Sequence, residues 1–392
     1  MDLLESFGFE LPTRIEYGPH VLSGLGGFLD ELGASRVLVI SDPGLREAGV
    51  LSTVLQSPGL GVREVRLFEG VSPNPRDAEA ERGALEARSL EAEAVVAVGG
   101  GSVLDCAKAV SVLAPQGGIC HDYEVRGSIG PDVLPLIAVP TTAGSGSEVT
   151  FSAVITDSEE HYKFTMKSPR IAPRIALLDP AMTRSMPPGL TAATGMDALT
   201  HAVEAHTAPS ANVLSDAAAI QAVELLSANL ARAVAHGDDL EARAGMLLGS
   251  VLAGIAFSHS DVAAVHCLAE AMGGIYDAPH GACNAVVLPG MMDWNREACP
   301  ERYARIASAM GISVTGADQG AGEAVRAVRR LAREVGLPGV RKLGLRREDF
   351  PELARLSVQN GSNASNPRVM REEDYIRVLE RLWEASSSDP TS

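Results

Sequence analysis

The stretch Gly195-Met-Asp-Ala-Leu-Thr-His-Ala-Val-Glu-Ala-His206 decides how the rest of the chain is read. It is rich in helix formers. Asp197 and His201, four residues apart, fall one above the other on the same helical face. A carboxylate and an imidazole so placed grip one cation together. His266 and His280 follow, and on one continuous helix their fourteen-residue separation is about 21 Å. Gly273-Gly274 and Pro279 are expected to interrupt that helix. If the chain turns back there, His280 comes round to meet His266. Asp197, His201, His266 and His280 then form a one-oxygen, three-nitrogen site, a donor set that suits Fe(II) or Zn(II) far better than Ca(II) or Mg(II). A lone helical histidine is more often a packed core or surface residue than a ligand, and an Asp-x-x-x-His pair alone is a weak signal. The other motifs of the chain supply the weight.

The 392 residues are enough for two domains. A hydrophobic fraction of 46% and a charged fraction of 21% are those of an ordinary soluble globular protein. The formal net charge of −17 repels phosphate backbones, which argues against a nucleic-acid partner. An anionic cofactor must therefore be held by local backbone amides. Five scattered cysteines without a Cys-x-x-Cys point to free thiols in a reducing compartment. The N-terminus lacks an apolar signal core, and no stretch approaches 18 uninterrupted apolar residues. A cytoplasmic protein with no membrane span is expected.

Apolar runs over 36–40, 62–68, 94–98 and 134–139 read as buried strands, with helices over 75–90 and 102–113 between them. Alternating strands and helices imply a parallel sheet covered on both faces, with ligands at the carboxyl ends of the strands. The loops at those ends are distinctive. Gly99-Gly-Gly-Ser102 leads straight into the helix bearing Asp105 and Lys108, where glycines and a helix N-terminus can hold a pyrophosphate. The spacing is not Gly-x-Gly-x-x-Gly, so a plain glycine-rich turn is an equal reading. Asp42 stands just past a strand end, able to accept from ribose hydroxyls and to repel a 2′-phosphate, or simply to cap a turn before Pro43. Pro140-Thr-Thr-Ala-Gly-Ser-Gly-Ser-Glu148 offers hydroxyls at the same edge. A hairpin is expected over 151–167, and a strand over 175–178 is expected to close the sheet. Beyond Pro187-Pro188 helices dominate. The predicted division is an α/β domain over 1–186 and an all-helical domain over 187–392, ending in a frayed tail over 386–392.

Taken in order, these motifs identify a resemblance to the iron-containing (group III) alcohol dehydrogenases of the dehydroquinate synthase-like superfamily. The matching set is Pro73-Asn-Pro75, Gly99-Gly-Gly-Ser-Val-Leu-Asp105, Pro140 to Glu148, Gly195-Met-Asp-Ala-Leu-Thr-His201, Pro279-His-Gly281 and Asn366-Pro-Arg368. The resemblance spans residue 9 to about residue 383. It implies a Rossmann-like N-terminal nucleotide-binding domain, an all-α C-terminal domain and a cleft between them. It implies that Asp197, His201, His266 and His280 bind the metal, Fe(II) or alternatively Zn(II). It implies further that Asp42, Asn74, Gly99, Gly100, Gly101, Ser102, Asp105, Thr141, Thr142, Ser145 and Lys163 line the nicotinamide cofactor groove. Assembly as a homodimer or larger homo-oligomer is implied too.

Two positions depart from the family pattern. Where many members have a second His four residues after the third ligand, this chain has Glu270. That carboxylate faces the side of His266. It is expected to hydrogen-bond a ligand imidazole, to contact the nicotinamide ribose, or to remain solvated. Asn360 stands where many members have Asp, and Ser362 where Cys is common, so an altered substrate pocket is expected. The implied activity is metal-dependent hydride transfer between an alcohol and NAD(H), giving an aldehyde or ketone. NADP is disfavoured by Asp42, although Arg46 lies close enough in sequence to accommodate a 2′-phosphate. The alternatives are glycerol dehydrogenase-like polyol oxidation, a dehydroquinate synthase-like lyase, a metal-dependent hydrolase, or a non-catalytic metal- and nucleotide-binding protein.

Overall fold

The computed structural model describes residues 4, 6–124, 128–159 and 162–387. It divides into two compact units, Glu10–Met186 and Pro187–Ser392, the second joined by Met1–Phe9. The sequence reading placed that N-terminal segment in the α/β domain. It groups with the helices because the Phe9 ring stacks on His259, with centroids 3.9 Å apart and planes 14° from parallel.

The unit Glu10–Met186 contains β1 (Arg14–Tyr17), α1 (Leu25–Glu31), β2 (Arg36–Ile40), α2 (Pro43–Glu47), α3 (Val50–Leu55), β3 (Glu64–Phe68), α4 (Asp77–Leu90), β4 (Ala94–Gly99), α5 (Gly101–Gln116), β5 (Leu136–Pro140), β6 (Ser152–Thr156), β7 (Lys163–Lys167) and β8 (Ile175–Leu178). Six strands form one parallel sheet in the order β1-β8-β5-β4-β2-β3. Alternate residues feed two cores. Leu38, Ile40, Val95, Ala97, Leu136 and Ala138 pack with α4 and α5, while Val37, Val39, Val96, Val98, Ile137 and Val139 pack with α1 and α3. Two-residue periodicity puts the two sets on opposite faces. That is why these strands read as unbroken apolar runs.

One sequence expectation is corrected here and one is met. β8 lies inside the sheet, between β1 and β5, and β1 forms the edge. The mixed Arg14-Ile-Glu-Tyr17 gives little strand signal because an edge strand is half solvated. The 151–167 hairpin is a separate antiparallel pair, β6–β7, whose Ala153, Ile155, Phe164 and Met166 join the core beneath α5. His161, expected to open its second strand, lies outside the described residues.

Lys108, fully buried on α5, holds this hairpin down. Its Nζ donates to Ser147 Oγ (2.8 Å), Thr150 Oγ1 (2.9 Å) and the Ser152 carbonyl (2.7 Å). Burial pushes the Lys108 ammonium down to about 8, against the opposing pull of Asp105 and Glu148.

The second unit holds α6 (Pro188–Thr207), α7 (Val213–Ala235), α8 (Leu240–Ser258), α9 (Ala264–Tyr276), α10 (His280–Asn295), α11 (Pro300–Ala309), α12 (Ala317–Glu334), α13 (Phe350–Gln359) and α14 (Glu372–Ser387). Helix α8 is long and apolar enough to cross a membrane by length and composition, yet 61% of its apolar window is buried within the fold. Its buried Gly245 and Gly249 pack closely against Asn229 and Leu226 of α7, as a core helix does. Of the expected tail, Ser386 and Ser387 still belong to α14, and 388–392 lie outside the described residues.

Lys108→Met removes three hydrogen bonds from the loop and hairpin and strips Asp105 and Glu148 of their nearest cation. We expect a loss of about 3 kcal/mol, measured as a lower urea midpoint with an unchanged m-value.

Candidate metal centre and cofactor loops

In the helical unit, α6 begins with proline at its first turn and runs for 20 residues. Its inward face carries Asp197, His201 and Glu204, all at most 6% exposed. Helix α9 supplies His266. The break before His280 falls later than the sequence suggested. Gly273 and Gly274 stay helical, and α9 ends at Asp277, which takes a left-handed conformation with φ 49°. Pro279 then caps α10, whose first residue is His280. Gly281 lets this turn press on α6, since a Cβ there would lie 2.7 Å from the Ala193 carbonyl oxygen.

The four expected ligands come together. One atom each of Asp197, His201 and His266 lies within 4.8 Å of the others, and His280 Nε2 is 3.8 Å from Asp197 Oδ1. The His201 ring is sandwiched between Phe257 and His266, with centroids 4.5 and 4.6 Å away. Burial by itself would raise the Asp197 carboxyl. The three imidazoles and the Asn284 amide outweigh it and hold that carboxyl below its ordinary value.

Two further residues escaped the sequence reading. Asn284, one turn after His280, places Nδ2 2.6 Å from Asp197 Oδ1 and 3.1 Å from Nε2 of both His266 and His280. Its Oδ1 is buried without a hydrogen-bond partner. Turning the amide over aims that orphaned oxygen at the point the carboxylate and imidazoles surround. A divalent cation there fits the donor set and satisfies the orphan.

The second residue is Glu204. Its Oε2 accepts from His266 Nδ1 at 2.5 Å and from the Ala263 amide at 2.9 Å, while Oε1 accepts from the Val265 amide at 2.7 Å. This carboxylate both caps α9 and turns His266 Nε2 toward the centre. The signal was present as the i, i+4, i+7 spacing of Asp197, His201 and Glu204. Glu270 does not hold a ligand imidazole. Its Oε2 accepts from Asn360 Nδ2 at 2.6 Å, so the two departures from the family pattern bond to each other.

In the sheet unit, β2 and β4 are neighbours whose onward connections leave in opposite directions, to β3 and to β5. Ligands of open α/β sheets bind at such a switch point. The loops after β2, β4 and β5 stand side by side there, carrying Asp42, Gly99 to Ser102, and Thr141 to Ser145. A Cβ on Gly100 would meet Thr142 at 3.0 Å, and one on Gly101 would meet Ser145 at 2.8 Å. Only glycine leaves this cradle open at the N-terminus of α5. Asn74 and Lys163, far apart in sequence, meet through a 2.8 Å hydrogen bond.

Asp42 takes the capping role, its Oδ1 accepting from the Leu45 amide at 3.1 Å. Burial raises its carboxyl. Arg46 Nε is held at 2.6 Å by Glu69, which follows β3. Asp105 is engaged within the fold. It accepts from Ser147 Oγ at 2.6 Å and from the Val154 amide at 3.0 Å, tying α5 to the loop and hairpin.

Comparison with known proteins shows the family. The iron-containing alcohol dehydrogenase model matches residues 12–180, and the model for the C-terminal part of the Fe-containing alcohol dehydrogenase family matches residues 191–383. The chain belongs to the iron-containing alcohol dehydrogenase family, whose members are alcohol–aldehyde oxidoreductases. It is 39% identical to the 1,3-propanediol dehydrogenase of Klebsiella pneumoniae, over 96% of this chain and 99% of that protein. It is 36% identical to the NAD-dependent methanol dehydrogenase of Bacillus methanolicus, over 95% of this chain and 98% of the relative. A solved 1,3-propanediol oxidoreductase superposes with a TM-score of 0.94 at 38% identity, covering 96% of this chain and 100% of its own.

Glu204→Gln keeps the size of the side chain but turns an amide donor toward groups that already donate. We expect a 10–100-fold loss of metal affinity, read by competition titration. The same variant shifts the pH profile of uptake. Burial alone would lower the His266 imidazole, but Glu204 and then Asp197 raise it above its ordinary value. Protonated His266 thus stabilises the metal-free fold below about pH 6.5, and that stabilisation is lost as pH rises through the raised value. Metal uptake must displace this proton, so uptake falls off on acidification at a higher pH in the wild type than in Glu204→Gln.

Proposed function

We propose that the protein interconverts a short-chain primary alcohol and its aldehyde with NAD(H), using Fe(II), or alternatively Zn(II), at Asp197, His201, His266 and His280. The observation that carries the proposal is the convergence of these side chains around the orphaned Asn284 amide. When bound, the ion supplies Lewis acidity to the substrate oxygen and the nicotinamide accepts or returns the hydride. The chain's residues supply the rest. Glu204 fixes the His266 tautomer so that Nε2 presents a lone pair. Asp197, held ionised by its neighbours, contributes the negative charge, and Phe257 covers one face of the His201 ring.

In the sheet unit, the glycines at α5 and the hydroxyls of Thr142 and Ser145 support a pyrophosphate site. Asn74 and Lys163 are proposed to reach the cofactor together. Asp42 supports NAD over NADP, and the structure strengthens that preference. Arg46 is engaged by the Glu69 carboxylate, which draws its guanidinium from a 2′-phosphate beside Asp42. The 1,3-propanediol and methanol dehydrogenases among the relatives support a small alcohol as substrate. The edge strand β1, paired among the described residues with β8 alone, supports assembly as a homodimer or larger homo-oligomer. Five free cysteines support a reducing, cytoplasmic location.

In His266→Ala, alcohol oxidation should vanish and metal content fall while NAD affinity stays at the wild-type value. Activity persisting in that variant overturns the ligand assignment. Gly101→Val closes the cradle against Ser145, and NAD affinity should drop about tenfold or more with metal content unchanged. An alcohol and aldehyde panel run with both coenzymes tests the substrate class and the NAD preference directly.

A further inference from the structure

A second group of ligand-type side chains meets within the sheet unit, among residues the alcohol chemistry does not use. Asp77 opens α4, His121 sits in the single 3-10 turn Cys120–Tyr123, and Asp157 lies in the turn between β6 and β7. One atom of each lies within 4.8 Å of the other two. His121 Nε2 is 2.8 Å from Asp157 Oδ2 and 3.7 Å from Asp77 Oδ2. That nitrogen is shut off from solvent, yet it makes no hydrogen bond of acceptable geometry.

A single imidazole N–H can aim at one oxygen. Two carboxylate oxygens beside it, neither in line, are the arrangement of ligands whose lone pairs converge on a shared cation. Ligands at about 2.0–2.1 Å around a tetrahedral ion stand about 3.3 Å apart. The distances of 2.8 and 3.7 Å lie on either side of that value.

The supporting contacts are also in place. Asp77 Oδ1 accepts from the Ala78 amide at 2.7 Å, the Ser158 amide at 3.2 Å and the Ser158 hydroxyl. Asp157 Oδ1 accepts from the Glu159 amide at 2.7 Å. Each aspartate thus has its first oxygen held by backbone and its second turned to His121. The imidazole packs on Phe164 with centroids 4.2 Å apart, and its Nδ1 lies 3.7 Å from Glu124 Oε2. An ordered imidazole with a carboxylate behind it is the usual environment of a metal-ligating histidine.

We propose that Asp77, His121 and Asp157 bind a second divalent transition-metal ion, Zn(II), with water as the fourth ligand. One imidazole among the donors favours Zn(II) over Ca(II) or Mg(II), and two carboxylates with a neutral imidazole balance its charge. The ion fastens the β6–β7 turn to the start of α4. The Lys163–Asn74 hydrogen bond joins β7 to the residues just before α4, so the second ion braces that contact.

The test is a Zn(II) titration of the full chain after chelator treatment, followed with a colorimetric metal indicator. The wild type should take up two equivalents. His121→Gln and Asp157→Asn should each take up one. The double variant Asp197→Asn/His266→Ala, which keeps this cluster intact, should take up one equivalent and gain thermal stability on doing so. A wild type that binds one equivalent, with no loss in His121→Gln, overturns the proposal. If His121→Gln does not fold, the double variant decides, and no uptake there overturns it. Loss of activity in the double variant bears on the first centre alone.

Discussion

The Glu204 carboxylate is the contact on which the candidate metal centre depends. It is 3% exposed and accepts from two backbone amides and one imidazole. A buried carboxylate without such partners is strongly disfavoured. With them, it becomes a fixed anchor reaching from α6 to the first turn of α9. The amides at a helix start have no partners within the helix, and here they are satisfied by the same group that orients a ligand. The helix terminus and the imidazole are positioned by one side chain, so neither can shift without the other.

The four proposed ligands were legible because their spacing is local or punctuated: Asp197 and His201 within one helical turn, His280 just after a proline. The α/β division was legible because the inner strands are unbroken apolar runs. The less legible features all depend on contacts distant in sequence. Glu204 and His266 are 62 positions apart, and a glutamate on an alanine-rich helix reads as solvated charge until the fold buries it. Asn284 is a neutral amide in an apolar helix, with nothing to distinguish it from a packed polar residue. Asp105 lies in a motif that suggests the cofactor, but its partners Ser147 and Val154 come from a loop and a hairpin whose placement no local pattern sets. The glycine pair at 273–274 reads as a break. It stays helical because the chain has its left-handed residue at Asp277, three positions later.

Glu270 and Asn360 illustrate a different limit. Each reads alone as an unexplained departure. The 2.6 Å hydrogen bond between them shows one coupled change, an amide donor facing a carboxylate acceptor. The pairing fixes the Glu270 carboxylate without adding a cation, on the side of α9 that bears His266. Arg46 and Glu69 are similar in kind. The arginine that the sequence offers as a phosphate partner is committed by a residue on the neighbouring strand's exit.

The capping of α9 from α6 also bears on the order of folding. A first turn whose amides are satisfied by a residue 59 and 61 positions earlier gains little from forming alone, and closing so long a loop carries an entropic penalty that only tertiary docking offsets. The first turn of α9 therefore draws its capping from α6 rather than from its own neighbours. Nascent chain emerging from the ribosome holds Asp197 and His201 well before the remaining imidazoles exist to compete for an ion. Any ion that these four side chains hold together is therefore held only once α6, α9 and α10 have met.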